Sequence, residues 1–262
     1  MIRSALMKVM TDAALKAGRG LARDFGEVEN LQVSVKGPGD FVSAADQRAE
    51  KILFEELSHA RPGYGFVMEE GGRIEGPDKT HTWYIDPLDG TTNFLHGLPV
   101  FAISIGLVRE GQIVAGLVHN PATGDMYIAE KGQGAYLNNR RLRVAARREL
   151  FECLIGCGIP HLGKRQEHPR FVKELAAVMA RAGNLRRLGA AALDLCFVAS
   201  GSYDGFWERN LQAWDIAAGI AIIREAGGFV SDADGGSDML AKGTICAGND
   251  VIHRELLSLI RE

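Results

Sequence analysis

The stretch Trp83-Tyr84-Ile85-Asp86-Pro87-Leu88-Asp89-Gly90-Thr91-Thr92-Asn93 carries most of what the chain says about its fold and chemistry. Trp83-Tyr84-Ile85 is aromatic and β-branched, the composition of a buried strand. Pro87 forces a turn straight after Asp86, and Gly90 lets the backbone come close to a ligand. Thr91-Thr92-Asn93 suits a helix or turn N-terminus with free amides. A buried strand ending in two carboxylates and then free amides suits a phosphate held beside metal ions. Taken alone, an Asp-Pro-x-Asp-Gly segment is equally a surface turn.

Working outward, other element ends carry acids too. Upstream, the apolar run Phe66-Val67-Met68 stops at Glu69-Glu70-Gly71-Gly72, so a second strand delivers carboxylates at its end. Downstream, Trp214-Asp215 opens Ile216 to Ile223, which is apolar on nearly every face and reads as a buried helix. Asp215 is also a natural helix N-terminal cap. If Glu69, Asp86, Asp89 and Asp215 converge, each pair at about 4 Å repels by roughly 4 kcal/mol at an effective dielectric of 20. Protons or cations must then neutralise them. Hard oxygen donors without His or Cys select Mg²⁺-like ions, and two ions about 4 Å apart clamp the attacking and leaving oxygens of phosphoryl transfer.

The whole chain frames that reading. At 262 residues, with 46% hydrophobic and 24% charged residues, it is an ordinary globular sequence with room for one large domain or two packed ones. Thirty Lys and Arg against 33 Asp and Glu give a formal charge of −3, so no global positive field favours nucleic acid. Four cysteines without framework spacing, no signal-peptide block in residues 1–30 and no long apolar run point to a reducing cytoplasm and no membrane.

The periodicity predicts a helix from Ile2 to about Asp24. A second helix begins near Ser43, with Asp46 placed as in a capping box and Ala45, Ala49, Ile52, Leu53 and Leu57 at helical spacing. From Trp83 the pattern turns to strands: Ala102 to Val108, Ile113 to Val118 across a Glu110-Gly111 hairpin, Met126 to Ile128, and Ala135 to Leu137. This reads as an antiparallel meander. After the basic run Arg140 to Arg148, strand-like and helix-like segments alternate. The chain therefore divides into an N-terminal α+β half, residues 1–143, holding most of the acids, and a C-terminal α/β half, residues 144–262, holding Asp215.

Four blocks carry a family resemblance: Lys36 to Asp46, Glu69-Glu70 placed 17 residues before Asp86, Asp86 to Asn93 (DPLDGTTN), and Trp214 to Gly219 (WDIAAG). In these the sequence closely resembles the inositol monophosphatase family, in its bacterial branch. The resemblance implies a layered α-β-α-β-α sandwich of the sugar-phosphatase type, with the antiparallel sheet in the N-terminal half. It implies a lithium-sensitive, Mg²⁺-dependent phosphomonoesterase, usually a homodimer, acting on a small phosphorylated polyol by direct in-line attack of water without a phosphoenzyme. Carried over by position, Glu69, Asp86, the Leu88 carbonyl and Asp89 hold a first metal, and Asp86, Asp89 and Asp215 a second. Thr91 and Glu69 orient and activate the water. Asp46 supports Thr91 or a third, weaker metal, beside its plain role at a helix start. The amides of Gly90 and Thr91 hold the phosphate.

On the alcohol side Arg186, the Gly189-Ala190-Ala191 backbone and Glu208 match substrate-contact positions. Many relatives carry Ser or Thr where this chain has Ala190, which removes a hydroxyl from that side. Fructose bisphosphate, histidinol phosphate and 3′-phosphoadenosine nucleotides stand as alternative substrates, since phosphatases for them share the metal acids.

Two other classes are weighed against this. Asp-x-Asp-Gly-Thr marks phosphatases with an aspartate nucleophile, but here the residue two before Asp89 is Pro87. A regulator bound to RNA or the transcription machinery, a second role among bacterial relatives, would use Arg140, Arg141, Arg143, Arg147 and Arg148, a run without interleaved aromatics. Cys153, Cys157 and His161 do not make a zinc site, because strand residues four apart lie about 13 Å from each other.

Overall fold

The computed structural model describes residues 4–27, 33–37 and 40–261. Residues 2 and 3 of the expected first helix, and residues 38 and 39 of the Lys36 to Asp46 block, lie outside them. Helix α1 (Ala5–Phe25) starts at Ser4, whose side chain accepts the Met7 N–H at 3.0 Å. Strands β1 (Val33–Gly37) and β2 (Asp40–Ser43) form an antiparallel hairpin that leads into α2 (Ala44–Ala60). The capping box forms as read: Asp46 Oδ2 accepts the Ser43 N–H at 2.9 Å, and Ser43 Oγ accepts the Ala45 N–H at 3.1 Å. Ala45, Ala49, Leu53 and Leu57 are buried along one stripe, as are Met7, Met10, Ala14, Ala17 and Leu21 of α1.

Next come β3 (Gly65–Met68), β4 (Gly72–Ile74), β5 (His81–Asp89), the short α3 (Thr91–Leu95), β6 (Ala102–Arg109), β7 (Gln112–Asn120), β8 (Asp125–Glu130), β9 (Gly134–Leu137) and β10 (Arg140–Arg141). They build an eight-stranded sheet in the order β10-β9-β8-β7-β6-β5-β3-β4. The β6–β7 hairpin turns at Glu110 and Gly111, both at positive φ, as two-residue turns of this hand require. The meander read from Trp83 onward forms with every pair antiparallel, and the strand before it joins the sheet differently. Strand β3 runs parallel to β5, with Met68 opposite Ile85, because the chain leaves β3 into β4 and then crosses back to enter β5 on the other side.

The remaining elements are β11 (Leu154–Cys157), α4 (His168–Met179), β12 (Asn184–Arg186), α5 (Ala191–Ala199), β13 (Gly205–Arg209), α6 (Ala213–Glu225), β14 (Phe229–Ser231), α7 (Met239–Lys242), β15 (Thr244–Gly248) and α8 (Asp250–Arg261). Their strands form a mixed sheet in the order β12-β11-β13-β15-β14. Three apolar clusters define the layers. The first joins α1 and α2 to one face of the large sheet, the second joins that sheet's other face through α5 and α6 to the small sheet, and the third covers the small sheet with α4 and α8. The result is the five-layer α-β-α-β-α order.

The middle layer is unusually close. Gly106 and Gly116 face each other on β6 and β7; a Cβ on Gly116 would lie 2.3 Å from the Ala218 carbonyl oxygen, and one on Gly106 2.6 Å from Ala217 Cβ. On its other side α6 meets α5 at Gly219, where a Cβ would reach Leu195 Cδ1 at 2.5 Å. The small residues of Ala217-Ala218-Gly219 thus press the buried helix onto the sheet. No helix among the described residues is long and apolar enough to cross a membrane.

Candidate active site

The acids meet because of three local devices. First, the parallel β3–β5 pairing brings two strand ends together: Glu69 follows Met68 beside Ile85, and its N–H donates to the Ile85 carbonyl at 3.2 Å. Second, the β5–β6 register shifts between Asp86, opposite Ser104, and Asp89, opposite Ala102. In a regular strand residues three apart point to opposite faces, and the extra residue of this bulge returns both carboxylates to one face. Third, Ser104 Oγ donates to the Trp214 carbonyl at 3.1 Å, tying the start of α6 to the strand opposite Asp86.

Asp86 is buried and its Oδ1 accepts the Leu88 N–H at 2.9 Å, closing the turn over Pro87. Asp89 Oδ2 accepts the Ala192 N–H at 2.8 Å. Asp215 Oδ2 accepts the Gln212 N–H at 2.7 Å, so the N-cap of α6 is Gln212 and Asp215 closes a capping box on it from the third helical position. Thr91 Oγ1 lies 3.1 Å from Asp46 Oδ1 and 3.0 Å from the Leu88 carbonyl oxygen, which joins the α2 capping box to the site. Gly90 has φ 86°, and a Cβ there would lie 2.8 Å from the Val100 carbonyl oxygen and 3.1 Å from Ala190 Cβ.

Burial pushes the Asp86, Asp89 and Asp215 carboxyls up from the usual carboxylate range, with the charges of the neighbouring acids adding to it. Asp89 is pushed up to about 7, held back by the N–H groups of Ala192, Ala191 and Gly90. Glu69 contributes to the field on all three. Asp215 lies within side-chain hydrogen-bond reach of Asp86, while among the described residues no group of three or more His, Cys, Asp or Glu side chains is placed to hold a metal ion. Burial also raises Asp46, against the opposing hydrogen bonds from Ser43 and Thr91.

The positions that the resemblance matches to substrate contacts lie later in the chain. Asn93, inside the DPLDGTTN block, donates through Nδ2 to the carbonyls of Val100 and Leu188, each at 2.8 Å, and reaches that of Gly189 at 3.3 Å. Gly189, at φ 80°, precedes buried Ala190 and Ala191 at the start of α5. Burial raises Glu208, with Asp194 the strongest charge acting on it. Arg186 is not brought to these acids; its Nη1 donates to the Leu185 carbonyl at 2.8 Å on its own strand. The guanidinium whose field lowers Asp194 and Glu208 is that of Arg187, and a Cβ on Gly189 would lie 2.7 Å from its Nη1.

Sequence reading passed over Ser104, Arg187 and Asp194. Asp194 is buried with one unpartnered oxygen, and burial, then the Asp89 charge, push it up to about 8. Its signal was a lone acid in the otherwise apolar helix Ala191–Ala199. Two histidines are held by backbone carbonyls: His96 Nδ1 faces that of Thr92 at 2.7 Å and His119 Nδ1 that of Asp125 at 3.0 Å. Cys153 and Cys157 are free and buried.

The sequence model of the inositol monophosphatase family matches residues 3–262. The chain belongs to that family. Its members are phosphomonoesterases, and the chain is an enzyme of that class. It is 63% identical over 262 residues to an inositol-1-monophosphatase of Mesorhizobium japonicum, covering 100% of this chain and 98% of the relative. A Nus factor SuhB of Vibrio cholerae is 39% identical over 257 residues, 98% of this chain and 96% of that protein. The crystal structure of extragenic suppressor protein suhB from Bartonella henselae superposes with a TM-score of 0.96 at 56% identity, covering 99% of each chain. The layered sandwich is therefore the fold of the inositol monophosphatases, and the family is metal-dependent.

Proposed function

We propose that the chain hydrolyses inositol monophosphate to inositol and inorganic phosphate, using Mg²⁺. One observation carries the reading: Glu69, Asp86, Asp89 and Asp215 arrive from three element ends into a common field that pushes the buried carboxyls up. This all-oxygen donor set, without His or Cys, fits hard divalent cations. Glu69, Asp86, the Leu88 carbonyl and Asp89 would hold one ion, and Asp86, Asp89 and Asp215 a second, with Asp46 as the candidate for a third. When bound, the ions neutralise the phosphoryl oxygens and activate the attacking water.

The rest falls to the chain's own groups. Thr91 Oγ1, steadied by Asp46 and the Leu88 carbonyl, orients the water, and Glu69 takes up its proton. The amides of Gly90 and Thr91 hold the phosphate. Gly189, Ala190, Ala191 and Glu208 face the alcohol. With Pro87 two residues before Asp89, the aspartate pair that a phosphoenzyme mechanism uses is missing its nucleophile. The four cysteines are free and buried, in keeping with a cytoplasmic enzyme, and a homodimer is the assembly we assign.

Phosphate release from inositol 1-phosphate, fructose 1,6-bisphosphate, histidinol phosphate and 3′-phosphoadenosine 5′-phosphate, with Mg²⁺ and with added Li⁺, tests this. Inositol 1-phosphate should be turned over fastest, only with Mg²⁺, and Li⁺ should inhibit. Preference for another ester moves the substrate, and inactivity on all four overturns the reading. The name of the Vibrio cholerae relative favours one second reading, a partner in the transcription machinery. In the basic run Arg147 pairs with Asp204 at 3.0 Å and Arg148 approaches Asp250 at 3.9 Å, so Arg140, Arg141 and Arg143 are left to form such a surface. Reversing their charge should leave phosphatase activity unchanged and abolish a cellular phenotype if that role exists.

A further inference from the structure

Strand β13 carries Glu208 toward the alcohol side, and its two neighbours on the strand point the other way. Trp207 belongs to the outer cluster with α4 and α8, while Phe206 packs in the middle layer. From α4, the buried Glu174 carboxylate takes hold of both neighbours of Glu208. Its Oε1 accepts Arg209 Nε at 2.7 Å, and its Oε2 accepts Trp207 Nε1 at 3.2 Å. Arg170 Nε adds a bond to Oε1 at 3.1 Å from the solvent side. Arg209 is anchored again by its Nη2 on the Ile260 carbonyl at 3.1 Å.

The opposite side of Glu208 is equally determined. Strand β11 ends at Cys157, opposite Trp207, and the next residue is Gly158, whose N–H donates to the Trp207 carbonyl at 3.1 Å. A Cβ on Gly158 would stand 1.7 Å from Glu208 Cδ, so the Glu208 carboxyl fills the space a side chain would take. A cation and an indole on one side and a missing side chain on the other leave the Glu208 carboxyl little freedom to move.

We propose that Glu174 is the positioning residue for Glu208: by gripping Trp207 and Arg209 from the far face of the sheet, it fixes the Glu208 carboxyl over Gly158 and so sets recognition of the substrate's alcohol half. Glu174 touches no substrate. The proposal rests on the assignment of Glu208 to the alcohol side. A carboxylate is needed because both of its oxygens accept from donors; in Glu174→Gln one oxygen becomes an N–H₂ facing an N–H.

The experiment compares Glu174→Gln, Glu208→Gln and the double variant with wild type, on inositol 1-phosphate and on 4-nitrophenyl phosphate, which lacks the polyol hydroxyls. Glu174→Gln should raise KM for inositol 1-phosphate about three- to tenfold with kcat within about twofold, the size of one lost hydrogen bond. KM for 4-nitrophenyl phosphate and inhibition by inorganic phosphate should not move. In the Glu208→Gln background the same change should add nothing. A lower melting temperature with unchanged KM reduces Glu174 to a structural residue and overturns the proposal, as does an equal KM rise in the Glu208→Gln background. An unchanged KM in Glu208→Gln alone instead overturns the assignment of Glu208. Should Glu174→Gln not fold, Trp207→Phe, which deletes only one grip, must raise that KM, and an unchanged KM in it overturns the proposal.

Discussion

Asp89 Oδ2 accepts the backbone N–H of Ala192 at 2.8 Å, so an acid from the large sheet is held by the first turn of α5. This one bond spans the two halves of the molecule. With the amides of Ala191 and Gly90 it draws down a group that burial alone would raise further.

Asp89→Asn preserves the shape and an acceptor for the Ala192 N–H but removes the charge. Phosphate release should fall on the order of a thousandfold while circular dichroism and melting remain near wild type. Substantial residual turnover in the purified variant would show that Asp89 is not a site acid.

Thr91→Val deletes the hydroxyl that lies between Asp46 and the Leu88 carbonyl. If that hydroxyl orients the attacking water, kcat should drop roughly a hundredfold with little change in KM. Thr91→Ser should retain most of the activity, and equal rates for the Val and Ser variants would contradict the role.

Gly116→Ala adds a methyl 2.3 Å from the Ala218 carbonyl oxygen, a backbone atom that can yield only if α6 moves. Denaturant unfolding should show a loss of about 1–3 kcal/mol, and activity should fall as well because Asp215 rides on α6. Gly20→Ala in α1 is the control: a Cβ there meets nothing within 4 Å, and helix propensity should add about 0.5–1 kcal/mol.

Asp194 makes the stability of the metal-free protein depend on pH. Its carboxyl titrates near 3.8 in an unperturbed setting and at about 8 in the fold, so across that window the native state keeps a proton that the unfolded chain has lost. Its contribution is therefore fully present at low pH and is lost as pH rises through about 8. Melting with a chelator present should show Asp194→Asn declining less steeply than wild type from pH 5 to 9, and parallel curves would refute the assignment.

Much of the site could be read from the chain. Strands and helices that end in Glu69, Asp86, Asp89 and Asp215, the Ser43–Asp46 capping box and the DPLDGTTN block are local patterns, set by side-chain periodicity and turn chemistry over a few residues. So was the need for Gly90, since only a short stretch of backbone decides a positive φ. Arg187 shows the limit: nothing in the local sequence sets it apart from Arg186, yet its guanidinium is the one whose field lowers Asp194 and Glu208.

By itself, then, the sequence determined the order of the elements, the family and the candidates for the chemistry. Only the tertiary structure decided how they meet. The parallel β3–β5 pair sets Glu69 beside Asp86, the bulge turns Asp86 and Asp89 to one face, and glycines under α6 let Asp215 reach them. None of these is a property of a short window. Strand neighbours, register and burial come from contacts between segments far apart in the chain, and it is burial among like charges that raises the carboxyls.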